Sequence, residues 1–162
     1  MKIEKIYLTK DNIIKIKEID YTFYGGTNLN DLDWYLERYN DKHFAYVLLD
    51  DNDNYVGYIT AIPIKKVLYD AFIKGVLIND SEINPKMFVN KSRYYYIISF
   101  VILKEYRHQG LGFNLIRNII KKVDKGKYIA LTISNEGAGI AKKFMHLRKK
   151  INDKVAVYEI KL

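Results

Sequence analysis

Residues Arg107-His108-Gln109-Gly110-Leu111-Gly112 combine one cation, two glycines and the start of an amphipathic stretch. The run before them, Tyr95 to Leu103, is apolar; the run after them, Phe113 to Val123, repeats apolar residues at helical spacing. A strand, a glycine turn and a helix start form a place to hold a pyrophosphate. Glycine lets backbone N–H groups approach an anion without a Cβ in the way. The first turn of a helix adds unpaired N–H donors and the positive end of the helix dipole. Arg107 can add a charge-assisted bond at the rim.

The spacing selects among phosphate-binding loops. A Walker-type loop needs Gly-Lys-Ser/Thr, and the chain has none. A dinucleotide fingerprint needs Gly-x-Gly-x-x-Gly, and here only Gly-x-Gly occurs. Charge points the same way. Residues 1–103 carry 13 Lys/Arg and 14 Asp/Glu, whereas residues 104–162 carry 14 and 5. The excess positive charge therefore begins at the glycine motif, where it would draw a polyanion. No recognised nucleic-acid motif accompanies it, which argues against a nucleic-acid partner.

Composition excludes other chemistry. The chain has no cysteine, so it has no disulfide, thiol nucleophile or Cys-ligated metal. His43, His108 and His146 show no ligand spacing, and no metal is expected. Asp50 to Asn54 is acidic but lacks the glycine and distal glutamate of a calcium loop, and reads as a hairpin tip. No stretch reaches the ~20 apolar residues of a membrane helix, and the N-terminus has no apolar signal region. The expectation is a soluble cytoplasmic protein. A length of 162 residues suits one domain, 1–162.

The elements that must position the loop follow from periodicity and punctuation. Strands are expected at Ile3–Leu8, Phe44–Leu49, Tyr55–Ile62 (closed by Pro63), Tyr94–Leu103, Lys127–Ser134 and Val155–Leu162. Tyr94–Leu103 is apolar on both faces, as a central strand should be. Helices are expected from Lys10 to Phe23 behind a Thr9 cap, from Asn30 or Asp31 through Tyr39, and over Lys65–Lys74, Gln109–Asp124 and Asn135–Leu147. The segment Asn79–Lys91 is irregular and polar. The order is βααββ, an inserted helix, then βαβαβ, an α/β (α+β) arrangement with a mixed central β-sheet flanked by helices.

The pattern Arg-x-x-Gly-x-Gly at Arg107 to Gly112, between a buried strand and a helix, resembles the acyl-CoA-binding motif of the GNAT superfamily of N-acetyltransferases. The element order resembles that family over essentially the whole chain, and residues 64–92 read as an insertion. The resemblance implies an acyl-CoA-dependent N-acetyltransferase moving an acetyl group from acetyl-CoA to a primary amine, by direct transfer in a ternary complex. It also implies a sheet that splays between the fourth and fifth strands. Backbone N–H groups of His108, Gln109, Gly110, Leu111, Gly112 and Phe113 would hold the pyrophosphate, with Arg107 at the rim. The backbone near Ile102 would meet the acyl carbonyl and pantetheine, and Asn135 and Phe144 would meet the cofactor arm, with a helix cap and a core position as their plain alternatives. Lys142 or Lys143 could reach the ribose phosphate. The loop between the first two helices, with Tyr24 to Thr27 and then Asp31, Asp33, Trp34 and Glu37, would face a small-molecule or peptide amine.

The departures from the family pattern bear on catalysis. No tyrosine stands on the last expected helix; Met145 fills its slot, and neighbouring His146 is the candidate acid. Residues 94–103 contain no carboxylate, which leaves Ser99, Tyr95, Tyr96 or a water chain to manage the proton. The alternative reading is a non-catalytic or weakly catalytic GNAT-fold module that binds acyl-CoA or a protein partner. The 15 tyrosines and the insertion suggest a homodimer surface. The acceptor stays open among polyamine, aminoglycoside, amino acid, peptide N-terminus and protein lysine.

Overall fold

The computed structural model describes residues 1–26, 30–122 and 126–160, with the backbone alone at Lys122 and Glu136. The elements run β1 Lys2–Tyr7, α1 Lys10–Tyr24, α2 Leu32–Arg38, β2 Phe44–Leu49, β3 Tyr55–Ile64, α3 Lys66–Lys74, β4 Tyr94–Ile102, α4 Leu111–Lys122, β5 Lys127–Thr132, α5 Asn135–Phe144, β6 Met145–Lys150 and β7 Ala156–Ile160. The strands hydrogen-bond in the order β1-β2-β3-β4-β5-β7-β6. The sheet is mixed: β4 and β5 are parallel, while β1–β2, β2–β3, β5–β7 and β6–β7 are antiparallel. The chain divides into two compact units, and β3 and β4 contribute residues to both.

The first unit holds residues 1–61 and 99–124. Thr9 caps α1, its hydroxyl accepting from the Asn12 N–H at 3.4 Å, and Gly25 at φ 64° ends it. Left-handed backbone of that kind is the usual helix stop. Ile13, Ile16 and Ile19 form the buried face at helical spacing, and Asp20 is buried with them. Asp31 caps α2 by accepting from the Trp34 N–H at 2.9 Å. Trp34 packs edge-on to Tyr35 and Tyr39, with the Arg38 guanidinium over its ring at 4.4 Å. Asp50 closes the β2–β3 hairpin by accepting from the N–H groups of Asn52 and Asn54 at 2.8 and 2.9 Å. A carboxylate that accepts backbone N–H bonds is a turn-former, so the acidic cluster is the expected hairpin tip. Leu115, Ile116 and Ile119 form the buried side of α4.

In this unit Gly57 of β3 faces β4 at very short range. A Cβ there would lie 2.8 Å from the Val101 carbonyl oxygen and 3.3 Å from the Ile102 Cα. Backbone cannot move aside as a side-chain end can. Gly57→Ala is expected to cost about 3 kcal/mol, the upper end of ordinary overpacking. Urea unfolding measures it; a loss below about 0.5 kcal/mol would show that β4 yields.

The second unit holds residues 62–98 and 125–162. α3 buries Leu68, Tyr69 and Phe72 and ends at Gly75, φ 72°. The insertion returns along the end of β3: Lys65 N–H donates to Met87 O at 2.9 Å, and Val89 N–H to Pro63 O at 3.0 Å. Two short 3₁₀ turns, Asp80–Glu82 and Pro85–Met87, account for the irregular reading of this stretch. The Tyr96 hydroxyl donates to the Asp80 carboxylate, and burial pushes that carboxyl up to about 6. The Tyr69 hydroxyl likewise donates to Glu159, which also faces Arg148 at 3.4 Å.

Several expectations are corrected. β3 runs through Pro63 to Ile64 rather than stopping before it. Near a strand end the ladder asks no N–H of that residue, so proline fits. The last helix ends at Phe144, and Met145, His146 and Leu147 belong to β6, paired with Ile160, Glu159 and Tyr158 of β7. There are thus seven strands among the described residues, not six. α4 starts at Leu111, two residues later than expected; its expected last residues, Val123 and Asp124, and residues 161–162 of the final strand lie outside the described residues. β4 is buried at Tyr95, Tyr96, Ile97 and Val101 but only half-buried at Ile98, Ser99 and Phe100.

Candidate functional site

The loop between β4 and α4 is built by three local devices. A 3₁₀ turn, Lys104–Tyr106, follows Leu103, with the Tyr106 N–H donating to Leu103 O at 3.0 Å. His108 then adopts φ 64° and Gly110 φ 73°. Left-handed backbone costs a non-glycine residue roughly 1–2 kcal/mol, so His108 stores strain beside a glycine that has none. Such strain gathers at binding loops. α4 begins at Leu111, and its first intrahelical partner is the Gly110 carbonyl, which accepts from the Asn114 N–H at 3.3 Å.

The two motif glycines do different work. Gly110 supplies the left-handed turn, and nothing lies within 4 Å of where its Cβ would be. Gly112 has ordinary backbone; a Cβ there would sit 3.0 Å from Phe100 Cζ and 3.4 Å from Ile102 Cδ1. Its job is to let α4 lie close on β4. Gly110 thus has the open left-handed turn that the expected anion site requires, while Gly112 serves packing.

The result is a run of donors. The backbone N–H groups of His108, Gln109, Gly110, Leu111 and Gly112 donate to no other described residue. His108, Gln109 and Gly110 are exposed, and so is Phe113. Five donors at the positive end of a twelve-residue helix suit the oxygens of a phosphate or pyrophosphate.

Arg107 works inward as well. Its Nε donates to the Ile102 carbonyl at 2.9 Å and its guanidinium lies over the Phe23 ring at 5.0 Å. The Leu103 N–H donates to the Val56 carbonyl at 2.9 Å. Two backbone groups near Ile102 thus have partners within the unit. Arg107 ties the loop to its strand and to α1.

Sequence reading missed Asp20. It is 1% exposed on α1 and has no lysine or arginine in hydrogen bond. Its Oδ1 accepts from the Tyr58 hydroxyl at 2.6 Å and its Oδ2 from the Tyr35 hydroxyl at 3.3 Å. Burial pushes its carboxyl from 3.8 to about 6, against the lowering effect of the two hydroxyls and Lys17. Tyr58 is raised well above the usual phenol range, first by burial and then by the Asp20 charge. Ser99, the candidate from β4, stands near enough to this Tyr58 hydroxyl to act against the rise. Nothing in the local pattern marks Asp20, because its partners lie 15 and 38 residues away.

The remaining expected residues belong to the second unit. Asn135 is the exposed first residue of α5; the cap is Ser134, whose hydroxyl accepts from the Gly137 N–H at 3.0 Å. Asn135 is thus not the helix cap, which its plain reading required. Phe144 ends α5 half-buried, and Lys142 and Lys143 are exposed in its last turn. His146 stands exposed on β6, in register with Glu159. Its expected role as acid rested on a helix position that the strand replaces. The loop carboxylates are partly committed elsewhere: Asp31 caps α2, and Glu37 lies 3.2 Å from Arg38. Thr27 lies outside the described residues. No group of three or more potential metal ligands occurs among the described residues, and no described helix is long and apolar enough to cross a membrane.

Comparison with known proteins bears on the fold. Among solved structures, the chain is similar to the GphF GNAT-like decarboxylase in complex with isobutyryl-CoA, with a TM-score of 0.72 at 10% identity, covering 99% of this chain and 98% of that one. It is similar to an acetyltransferase from Thermus thermophilus, TM-score 0.63 at 13% identity, covering 100% and 98%. It is also similar to NAA60 of Arabidopsis thaliana in complex with a bisubstrate analogue, TM-score 0.63 at 13% identity, covering 98% and 97%. No curated protein matches the chain in sequence. At these identities the likeness is one of fold. The sequence itself matches the Acetyltransferase (GNAT) family over residues 12–145, from α1 through the glycine loop to the start of β6, and the chain belongs to that family.

Proposed function

We propose that the protein is an acyl-CoA-dependent N-acetyltransferase that passes an acetyl group from acetyl-CoA to a primary amine by direct transfer in a ternary complex. The observation that carries the reading is the run of five unengaged N–H donors from His108 to Gly112 at the start of α4. These groups would hold the pyrophosphate, with Phe113 at the edge and Arg107 bracing the loop. Ile102 would meet the pantetheine arm and acyl group. A thioester carbonyl held by fixed donors is polarised for attack, and placing an amine against it removes much of the entropic barrier. The acyl-CoA and bisubstrate ligands of the similar structures support both halves of the reading.

A second reading, an acyl-CoA-binding module without efficient transfer, is favoured by α5. Its sequence Asn135 to Phe144 has no tyrosine to protonate a leaving thiolate, and His146 lies on β6. Calorimetric titration with acetyl-CoA, followed by thiol release with a panel of primary amines, decides. Saturable one-to-one binding with amine-dependent thiol release is expected. Binding without release from any amine would establish the module; no binding by folded protein would overturn the acyl-CoA reading itself.

A further inference from the structure

We propose that Ser99, Tyr58 and Asp20 form a proton relay that takes the proton from the attacking amine and stores it on the buried Asp20 carboxylate. This rests on the transfer reading above and supplies the acceptor that β4 lacks.

The geometry has a direction. Tyr58 donates its hydroxyl proton to Asp20 Oδ1 at 2.6 Å. The Tyr58 oxygen is then left to accept, and the Ser99 hydroxyl is the group beside it with a lowering effect on its pKa. The Tyr58 hydroxyl therefore points its proton inward, and Ser99 is the next hydroxyl outward in the proposed chain. Ser99 is half-buried, whereas Tyr58 and Asp20 are each 1% exposed. The chain thus runs from an accessible end to a closed one. Strand alternation fixes the face: Phe100 and Ile102 lie against α4 at Gly112, so Ser99 lies on the opposite face of β4, with Tyr58 and α1.

The groups facing Asp20 are few. Tyr58 comes from β3, Tyr35 from α2, and Lys17 from α1 acts by charge alone. The Lys17 Nζ is committed to the Asn30 carbonyl and lies 4.9 Å from the Tyr35 ring centre. Among the described residues, no cation hydrogen-bonds to the carboxylate. A purely structural acid would be expected to carry one, since an unpaired buried charge is costly. At neutral pH the group is ionised, yet basic enough to take a proton, which suits a general base.

The step balances. The amine nitrogen forms a bond to the thioester carbon and passes a proton to Ser99 Oγ. Ser99 passes its own proton to Tyr58, and Tyr58 passes its own to Asp20. The C–S bond then breaks and the thiolate leaves. Asp20 returns the proton to solvent along the same chain. Asp20 acts through Tyr58 and Ser99 and does not touch the amine.

The test uses the full chain, acetyl-CoA and the reactive amine from the panel, with kcat measured from pH 5 to 8. Wild type is expected to lose activity as pH falls through about 6. Asp20→Asn, Tyr58→Phe and Ser99→Ala should each lower kcat about 100-fold, leaving KM for acetyl-CoA unchanged. Ser99→Thr, which keeps the hydroxyl, should restore most of the rate, and the acid limb should vanish in Asp20→Asn. Wild-type kcat with an unchanged acid limb in folded Asp20→Asn and Tyr58→Phe would overturn the relay alone. Acetyl-CoA binding without transfer to any amine would overturn the relay together with the transfer reading, and absence of binding would overturn the cofactor site as well.

Discussion

Asp20→Asn is expected to stabilise the protein at pH 8 by about 2–3 kcal/mol while removing most of its transfer activity. The sign follows from linkage. The folded state raises this carboxyl from 3.8 to about 6, so it holds the proton more tightly than the unfolded chain. Its contribution to stability is fully present below 3.8 and is lost as pH rises through about 6. A shift of about two units corresponds to roughly 3 kcal/mol at 1.36 kcal/mol per unit. Asparagine is neutral at every pH and nearly isosteric, so it removes that loss. Its carbonyl oxygen can still accept from Tyr58, and its amide can donate to the Tyr35 oxygen. Urea unfolding at pH 5 and pH 8 measures the effect: roughly half of the gain at pH 5, the full gain at pH 8. A variant less stable at both values would mean that the carboxylate is a structural anchor. Opposite signs in stability and rate are the mark of a group kept for its chemistry. Asp80, raised to about 6 behind Tyr96, adds a pH slope of the same sign in the second unit, so the variant should flatten only part of the wild-type dependence.

Gly110→Asp is expected to lower acetyl-CoA affinity by on the order of 100-fold with the fold intact. Gly110 sits at φ 73° with open space at its Cβ position, and aspartate tolerates left-handed backbone better than most residues. The stability cost should be about 1 kcal/mol. The new carboxylate would lie among the N–H donors of the loop, compete with the pyrophosphate for them and repel it. Charge-assisted bonds of this kind are worth about 1.5–3 kcal/mol each, so losing one or two accounts for the expected factor. Gly112 is the worse site for the test, because any Cβ there first meets Phe100. Calorimetric titration of wild type and variant measures the change. Equal affinities in a folded variant would move the cofactor away from this loop.

How much of this was legible in the sequence depended on range. α1, α2 and the β2–β3 hairpin were readable because their signals are local: Thr9, Asp31, Asp50 and Gly25 are caps and turn residues whose partners lie within a few positions. The glycine loop was readable for the same reason. The end of α5 was not. Residues Ala141 to Lys150 contain no glycine or proline, and their lysines, arginine, leucine and methionine favour a helix as much as anything. Only pairing with β7 turns Met145–Lys150 into a strand, and that pairing is made with residues downstream. Asp20 escaped because a single aspartate between Ile19 and Phe23 reads as an ordinary polar helix position. Its significance lies in tyrosines from α2 and β3, which only the fold delivers.

Trp34 is the only tryptophan of the chain, and it lies in the first unit, packed against Tyr35 with Arg38 over its ring. Fluorescence excited selectively at tryptophan therefore reports on that unit alone, and from a position next to the Asp20 tyrosine pair. Circular dichroism reports on the helices of both. Superimposed denaturation curves from the two signals would mean that the chain melts as one cooperative body. An emission change that runs ahead of or behind the dichroism would mean that the half carrying the glycine loop opens on its own, giving each half a separately measurable stability.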